Sequence, residues 1–326
     1  MSARIASASF VAACMLAAAV GAPRAQAPVA VGRAADPAAA APSRWAADVA
    51  RVDAELQMRS LVADDPRGRW VAGRLDATDP VAQVRNYAAA RAAVPREPLY
   101  LASLAFACQQ AVQPSLTECD VVDRLADWAT RDADNGVPQL ILAGKAVRRG
   151  NNDDAVGYLQ QAAAKPRMDD YGTRGALVIW EYVMALPIDV DRAAKAEAAA
   201  AYAEAPQGAA LGLAVACGGN ALPASRRAAC AEAGAALAER GATFAARAAG
   251  ATIAERTATD GAMTERVRAR RAANDAERAR CAAKDLDAQQ GAEAADAATR
   301  ARAVAAWDAQ MRAKAQKGEA AACGGA

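Results

Sequence analysis

A cysteine-bearing segment occurs twice in this sequence, and the duplication constrains the fold more than any other feature. Leu104-Ala105-Phe106-Ala107-Cys108, then Pro114 and Cys119, recur as Leu213-Ala214-Val215-Ala216-Cys217, Pro223 and Cys230. The offset is constant from the leucines (104 to 213) to the prolines (114 to 223) and slips by two at the last cysteine (119 to 230). A fixed offset implies a duplicated structural unit. Each copy has room for about six helices of ordinary length with their loops. Pro114 and Pro223 mark the turn between two helices, so each copy reads as a helix hairpin stapled near its tip.

The cysteines have a use only if they can oxidise, and the N-terminus supplies the compartment. Arg4 gives a short positive region, Ile5 to Ala22 is an apolar run, and Ala25-Gln26-Ala27 fits the small-x-small cleavage rule. Residues 1–27 therefore read as a secretory signal peptide, with Pro28 as the first residue of the mature chain. Val11-Ala12-Ala13-Cys14 resembles a lipobox that would place a lipid anchor at Cys14. The apolar run continues past it, so cleavage after Ala27 is the expectation. Ser7, Ser9, Gly21 and Pro23 interrupt the run, and no later segment is long and apolar enough to span a bilayer.

Six cysteines remain after the leader: Cys108, Cys119, Cys217, Cys230, Cys281 and Cys323. An even number in an exported chain favours disulfides over metal ligands. The repeat favours Cys108–Cys119 and Cys217–Cys230, leaving Cys281 and Cys323 as a third pair. Of the 39 basic and 37 acidic residues, the leader takes Arg4 and Arg24 and no acid, so the mature chain carries no formal net charge. That gives no electrostatic case for nucleic acid or an anionic membrane as partner.

Alanine, the best helix former, dominates, and no period-2 alternation is present, so the fold class is all-α. Residues 28–42, rich in Ala and Pro, read as a disordered linker. A helical-repeat domain is expected over 43–258. Ser43 caps a first helix to Val62 with Trp45, Val49, Val52 and Leu56 on one face. Asp79-Pro80 starts another that stops before Pro95. Further helices follow at about 99–112, 116–133, 137–149, 152–165, 172–186, 189–205, 208–217, 223–240 and 242–257. Residues 259–326 form a charge-rich helical hairpin and tail. Its first helix runs to about Gln290, a break falls near Gly291, and the second reaches about Lys317. There Val304, Trp307 and Met311 make a stripe for packing on the preceding helix. Alanine faces bury little area, so this hairpin is expected to be the least stable part.

Residues 135–166 carry the richest pattern. Ala143, Ala155 and Ala162 are small, Leu142 and Leu159 are large, and Pro166 closes the segment. It resembles a tetratricopeptide (TPR) or Sel1-like unit, with Gln139 where an aromatic is usual and Ala146 where tyrosine is usual. The resemblance implies an α-α superhelix of stacked antiparallel helix pairs and a protein or peptide partner held in a groove.

The chain has no histidine, which excludes Ser-His-Asp and Cys-His nucleophile systems, His-bearing zinc sites and a histidine base. It has no Walker A, G-x-G-x-x-G or G-x-S-x-G motif. Asp132, Asp134, Asn135 and Gly136 lack the spacing of a calcium loop and read as a helix end, turn and cap. Arg266, Arg268, Arg270 and Arg271 are flanked by Glu265, Asp275 and Glu277 and read as a solvated helix face. No catalytic residue, cofactor or metal is assigned. The one aromatic-acidic stretch, Trp180-Glu181-Tyr182 near Asp169-Asp170-Tyr171, reads first as helix packing by Trp180 with Glu181 in solvent. The reading is an exported, non-catalytic binding adaptor of the cell envelope. Two alternatives stay open. One is a carboxylate-based carbohydrate-active enzyme, which requires two acids converging in a cleft beside Trp180 or Trp128. The other is an envelope structural protein without a dedicated ligand.

Overall fold

The computed structural model describes residues 44–76, 78–110, 116–119, 121–202, 208–219, 221–292 and 296–323. The expected leader with Cys14, the expected linker over 28–42, Ser43 and Pro114 lie outside them. The described residues form helices and no strand. They begin with α1 (Arg44–Val62), α2 (Pro66–Leu75), α3 (Pro80–Ala93), α4 (Pro98–Gln110) and α5 (Val121–Arg131). Next come α6 (Val137–Arg148), α7 (Asn152–Ala164), α8 (Gly172–Met184), α9 (Arg192–Tyr202) and α10 (Gly208–Cys217). The series ends with α11 (Ala224–Arg240), α12 (Phe244–Thr257), α13 (Gly261–Ala292), α14 (Ala297–Lys317) and α15 (Glu319–Cys323). None is long and apolar enough to cross a membrane.

Local chemistry sets many of the starts. Asp79 accepts the Val81 and Ala82 amides at 3.0 and 3.1 Å, and Pro80 supplies the first helical turn. Asp65-Pro66 repeats that device at α2, where Asp65 accepts the Gly68 amide. Asn151, Thr243 and Asp296 cap α7, α12 and α14. Each such cap stabilises its helix by about 1 kcal/mol. Two elements go beyond the sequence expectation. α2 is a full helix that its Asp-Pro signal announces, and α15 follows α14 after Gly318, whose φ is 81°. The helix expected over 116–133 is divided: a 3-10 turn at Thr117–Cys119 precedes α5. α13 continues through Gly291, where a break was expected, to Ala292, and residues 293–295 lie outside the described ones.

Sequence neighbours pack together from α1 through α7. The α6–α7 pair then carries α10 on α6 and α11 on α7, and α12 closes against α10 and α11. α8 and α9 leave this stack. They pack on each other and on α1, α2 and α14. The 109-residue offset maps the spans of α4, α5 and α6 onto those of α10, α11 and α12. In the TPR-like segment Ala143, Ala155, Leu159 and Ala162 are fully buried, Leu142 is half-buried, and Gln139 is buried in place of an aromatic.

Glycines let two of these crossings run backbone to backbone. A Cβ on Gly250 of α12 would lie 2.6 Å from the Ala238 nitrogen and 2.7 Å from the Gly234 oxygen of α11. Gly144 of α6 and Gly212 of α10 meet in the same manner, at 3.1–3.3 Å. Three buried tryptophans anchor the layers between, and each indole N–H is satisfied. Trp70 donates to Ser103 at 2.9 Å, Trp128 to Asp132 at 3.1 Å and Trp180 to Asp308 at 2.8 Å. The Val304-Trp307-Met311 stripe is buried as expected, but its principal aromatic contact is outside the hairpin. Trp307 lies 5.5 Å from Trp180 of α8, ring centre to ring centre. The stripe thereby joins the main core.

All three cysteine pairs stand at bonding distance, with Cα–Cα separations of 5.3 Å (Cys108–Cys119), 5.7 Å (Cys217–Cys230) and 5.1 Å (Cys281–Cys323). The second staples the end of α10 to the second turn of α11. The first ties α4 to the 3-10 turn, short of the next helix. Cys217→Ala/Cys230→Ala should cost about 3 kcal/mol through the freed unfolded chain. The urea midpoint reports it, and a midpoint equal to that of the oxidised wild type would refute a stabilising role.

Candidate functional site

Among the described residues a cleft of about 250 Å³ opens between α2, α4 and α8. Its lining follows from three helix starts and one helix face. α2 presents Arg67 immediately after its Asp65-Pro66 cap. Glu97 precedes α4 and accepts the Leu99 amide at 3.2 Å, which fixes the carboxylate at the cleft edge. α8 contributes Arg174, Leu177, Val178 and Glu181, residues spaced to share one helical face. Leu99, Leu177, Val178 and the ring of Tyr100 make an apolar floor, and two arginines and two glutamates make the rim.

The rim charges pair across the opening. Arg174 bonds Glu97 at 2.8 Å. Glu181 takes Arg312 of α14 at 2.9 Å and Arg67 at 3.5 Å. Arg67 is thus the more weakly held cation, because its partner is already bonded from the other side. Burial, with Glu97 next, raises the Tyr100 hydroxyl above the ordinary tyrosine range. Tyr100 therefore stays a neutral donor.

A second polar cluster is buried where the α5–α6 and α7–α8 turns meet. Asp132 accepts from Trp128, from Asn135 at 2.8 Å, from the Tyr171 hydroxyl at 2.6 Å and from Arg167. Asn135 bridges the turns: its amide donates to the Asp169 carbonyl at 2.7 Å, and its oxygen accepts the Asp169 and Val137 amides. Backbone bonds tie the same strands of chain, Gly136 to Arg167 at 2.8 Å and Arg167 to Asp134 at 3.1 Å. Tyr171 takes φ of 60°, left-handed for a bulky residue, at a cost of roughly 1–3 kcal/mol. Burial, then the bond to Asp132, raises its hydroxyl pKa. This cluster is enclosed, and its oxygens are spent on the protein's own donors. Asp170 beside it is the exception: one carboxyl oxygen, Oδ2, is buried with no hydrogen-bond partner.

Glu181 is part of the cleft rim, half-buried and ion-paired rather than free in solvent. Trp180 is core, as expected. Two acids, Glu97 and Glu181, do line one cleft, but Trp180 faces away from it onto Trp307, and Tyr100 is the single aromatic among the lining residues. Both carboxylates are bound by guanidinium groups, so the arrangement lacks the acid pair and stacking platform of glycoside hydrolysis. The Arg266–Arg271 run meets a carboxylate at every arginine: Glu239, Glu265, Glu277 and Glu255. Among the described residues no group of three or more Cys, Asp or Glu is arranged to hold a metal ion. Arg67, Glu97, Arg174 and Arg312 were not singled out from sequence, since only the tertiary approach of four helices unites them. No protein-family model, curated protein or solved structure matches the chain.

Proposed function

We propose that the protein is an exported, non-catalytic helical scaffold of TPR-like stacked pairs that binds a protein or peptide through the α2–α4–α8 cleft. The observation that carries this reading is an aliphatic floor inside a rim of paired charges. That is the anatomy of a protein interface, with a desolvated centre and a polar surround. The volume, about 250 Å³, sits below the usual range for small-molecule sites and suits one or two side chains of a larger partner. Met58, Leu61 and Val62 stand exposed at the end of α1, a few residues before Arg67 in sequence. Three disulfides fit an oxidising compartment, in keeping with the leader.

The test is charge reversal at the rim. Arg67→Glu/Arg174→Glu alters half-exposed side chains, so it should cost no more than about 1 kcal/mol per ion pair. Capture of the partner from an envelope fraction should fall at least tenfold, while Arg266→Glu on the far helix leaves it intact. A partner retained by the double variant would defeat the cleft assignment.

A further inference from the structure

We propose that Asp170 is a protonation-controlled latch that joins the first turns of α8 and α10 and thereby sets how firmly one wall of the cleft is seated. The geometry is specific. Asp170 is 4% exposed and lies in the α7–α8 turn. Its Oδ1 accepts the Gly172 amide at 3.2 Å, and the Ala209 amide of α10 faces the same carboxyl. Oδ2 has no partner. A buried carboxylate of this kind is under-solvated by three backbone amides, those of Gly172, Ala209 and Asp170 itself, whereas the neutral acid keeps Oδ1 as acceptor and carries no charge to solvate.

The surrounding charges do not rescue the ionised form. Asp169 is adjacent and of like sign. Arg167, the nearest cation in the turns, is engaged with Asp132 and Asp169. α4 carries no charged residue, and neither does the first turn of α10; Arg174 in the first turn of α8 is turned outward to Glu97. Burial, then Asp169, pushes the Asp170 carboxyl up to about 7. The sign follows. The folded chain holds this proton more tightly than an unfolded chain, whose aspartate titrates at 3.8. The stabilisation is complete below that value and is lost as pH rises through about 7. Ionisation is relieved by admitting water where the two helix starts meet. Tyr171, with its left-handed φ of 60°, sits at the same joint.

α8 begins at Gly172 and carries Arg174, Leu177, Val178 and Glu181, so loosening its first turn moves the cleft wall. That last link rests on the cleft reading above; the measurement below does not. Hydrogen exchange of the mature protein, corrected for intrinsic rate, is read at 172–175 and 209–213 from pH 5.5 to 8.5. Protection should fall at least tenfold with a midpoint near 7. Asp170→Asn, whose amide remains neutral, should hold high protection throughout. Asp169→Asn, which keeps its oxygen for the Tyr171 amide, should move the midpoint toward acid. A flat wild-type profile, an Asp170→Asn profile that still falls, or an unmoved midpoint in Asp169→Asn each overturns the latch.

Discussion

Asp132→Ala should cost about 3–5 kcal/mol, because it strips a buried carboxylate from three buried donors, Trp128, Asn135 and Tyr171, and from the half-exposed Arg167. Trp128, Asn135, Tyr171 and Arg167 all donate to this one side chain. Its removal leaves an indole N–H and a phenol O–H enclosed without acceptors, each worth about 1–3 kcal/mol when unsatisfied. Arg167 keeps only its 3.3 Å bond to Asp169 and a long contact with Tyr171. Urea denaturation measures the loss. Asp134→Ala, two residues away and exposed, is the control and should stay within about 0.5 kcal/mol. If the two variants unfolded at the same urea concentration, the cluster would be ornament rather than structure.

Gly250→Val should cost about 3 kcal/mol or more, at the upper end of overpacking penalties. The added carbon would meet backbone atoms of Gly234, Leu237 and Ala238 at 2.6–2.9 Å, and backbone cannot rotate aside as a side chain can. Only separation of α11 from α12 makes room. The sign of a glycine substitution should therefore depend on position. Gly157 in α7 has nothing within 4 Å of an added Cβ. Gly157→Ala should gain up to about 1 kcal/mol from helix propensity alone. Thermal unfolding of the pair gives both signs in one experiment, and a destabilised Gly157→Ala with a tolerated Gly250→Val would refute the close crossing.

Much of the helix pattern was legible in the sequence because caps are local. Asp79-Pro80 and Asn151 state their helix starts within four residues. α2 carried the same Asp65-Pro66 signal, but its Gly68 and Gly73 and its three arginines obscured the apolar face. The cysteine pairs were legible through the repeat rather than through geometry. The stripe of Val304, Trp307 and Met311 announced burial, but the preceding helix expected to cover it is not what Trp307 meets, since periodicity fixes a face and not what covers it. The cleft was illegible for the same reason. Arg174 and Glu97 are 77 positions apart, and nothing near either in sequence marks them as a pair. Asp132 reads as an ordinary turn aspartate, and Asp170 draws notice only as a neighbour of the Trp180 stretch. Their burial comes from turns of distant helices meeting, which no local window contains.

The departure of α8 and α9 from the stack has a consequence for how the molecule comes into being. Trp180 and the Asp308 that caps its indole are 128 positions apart, and Glu181 and Arg312 are 131 apart. A chain made and delivered from its N-terminus presents α8 long before α14 exists to cover it. The stack of α6, α7, α10 and α11 can assemble early from contacts already in hand. The cleft wall waits for α14. A polypeptide halted before Asp308 is therefore an unfinished protein rather than a shorter one.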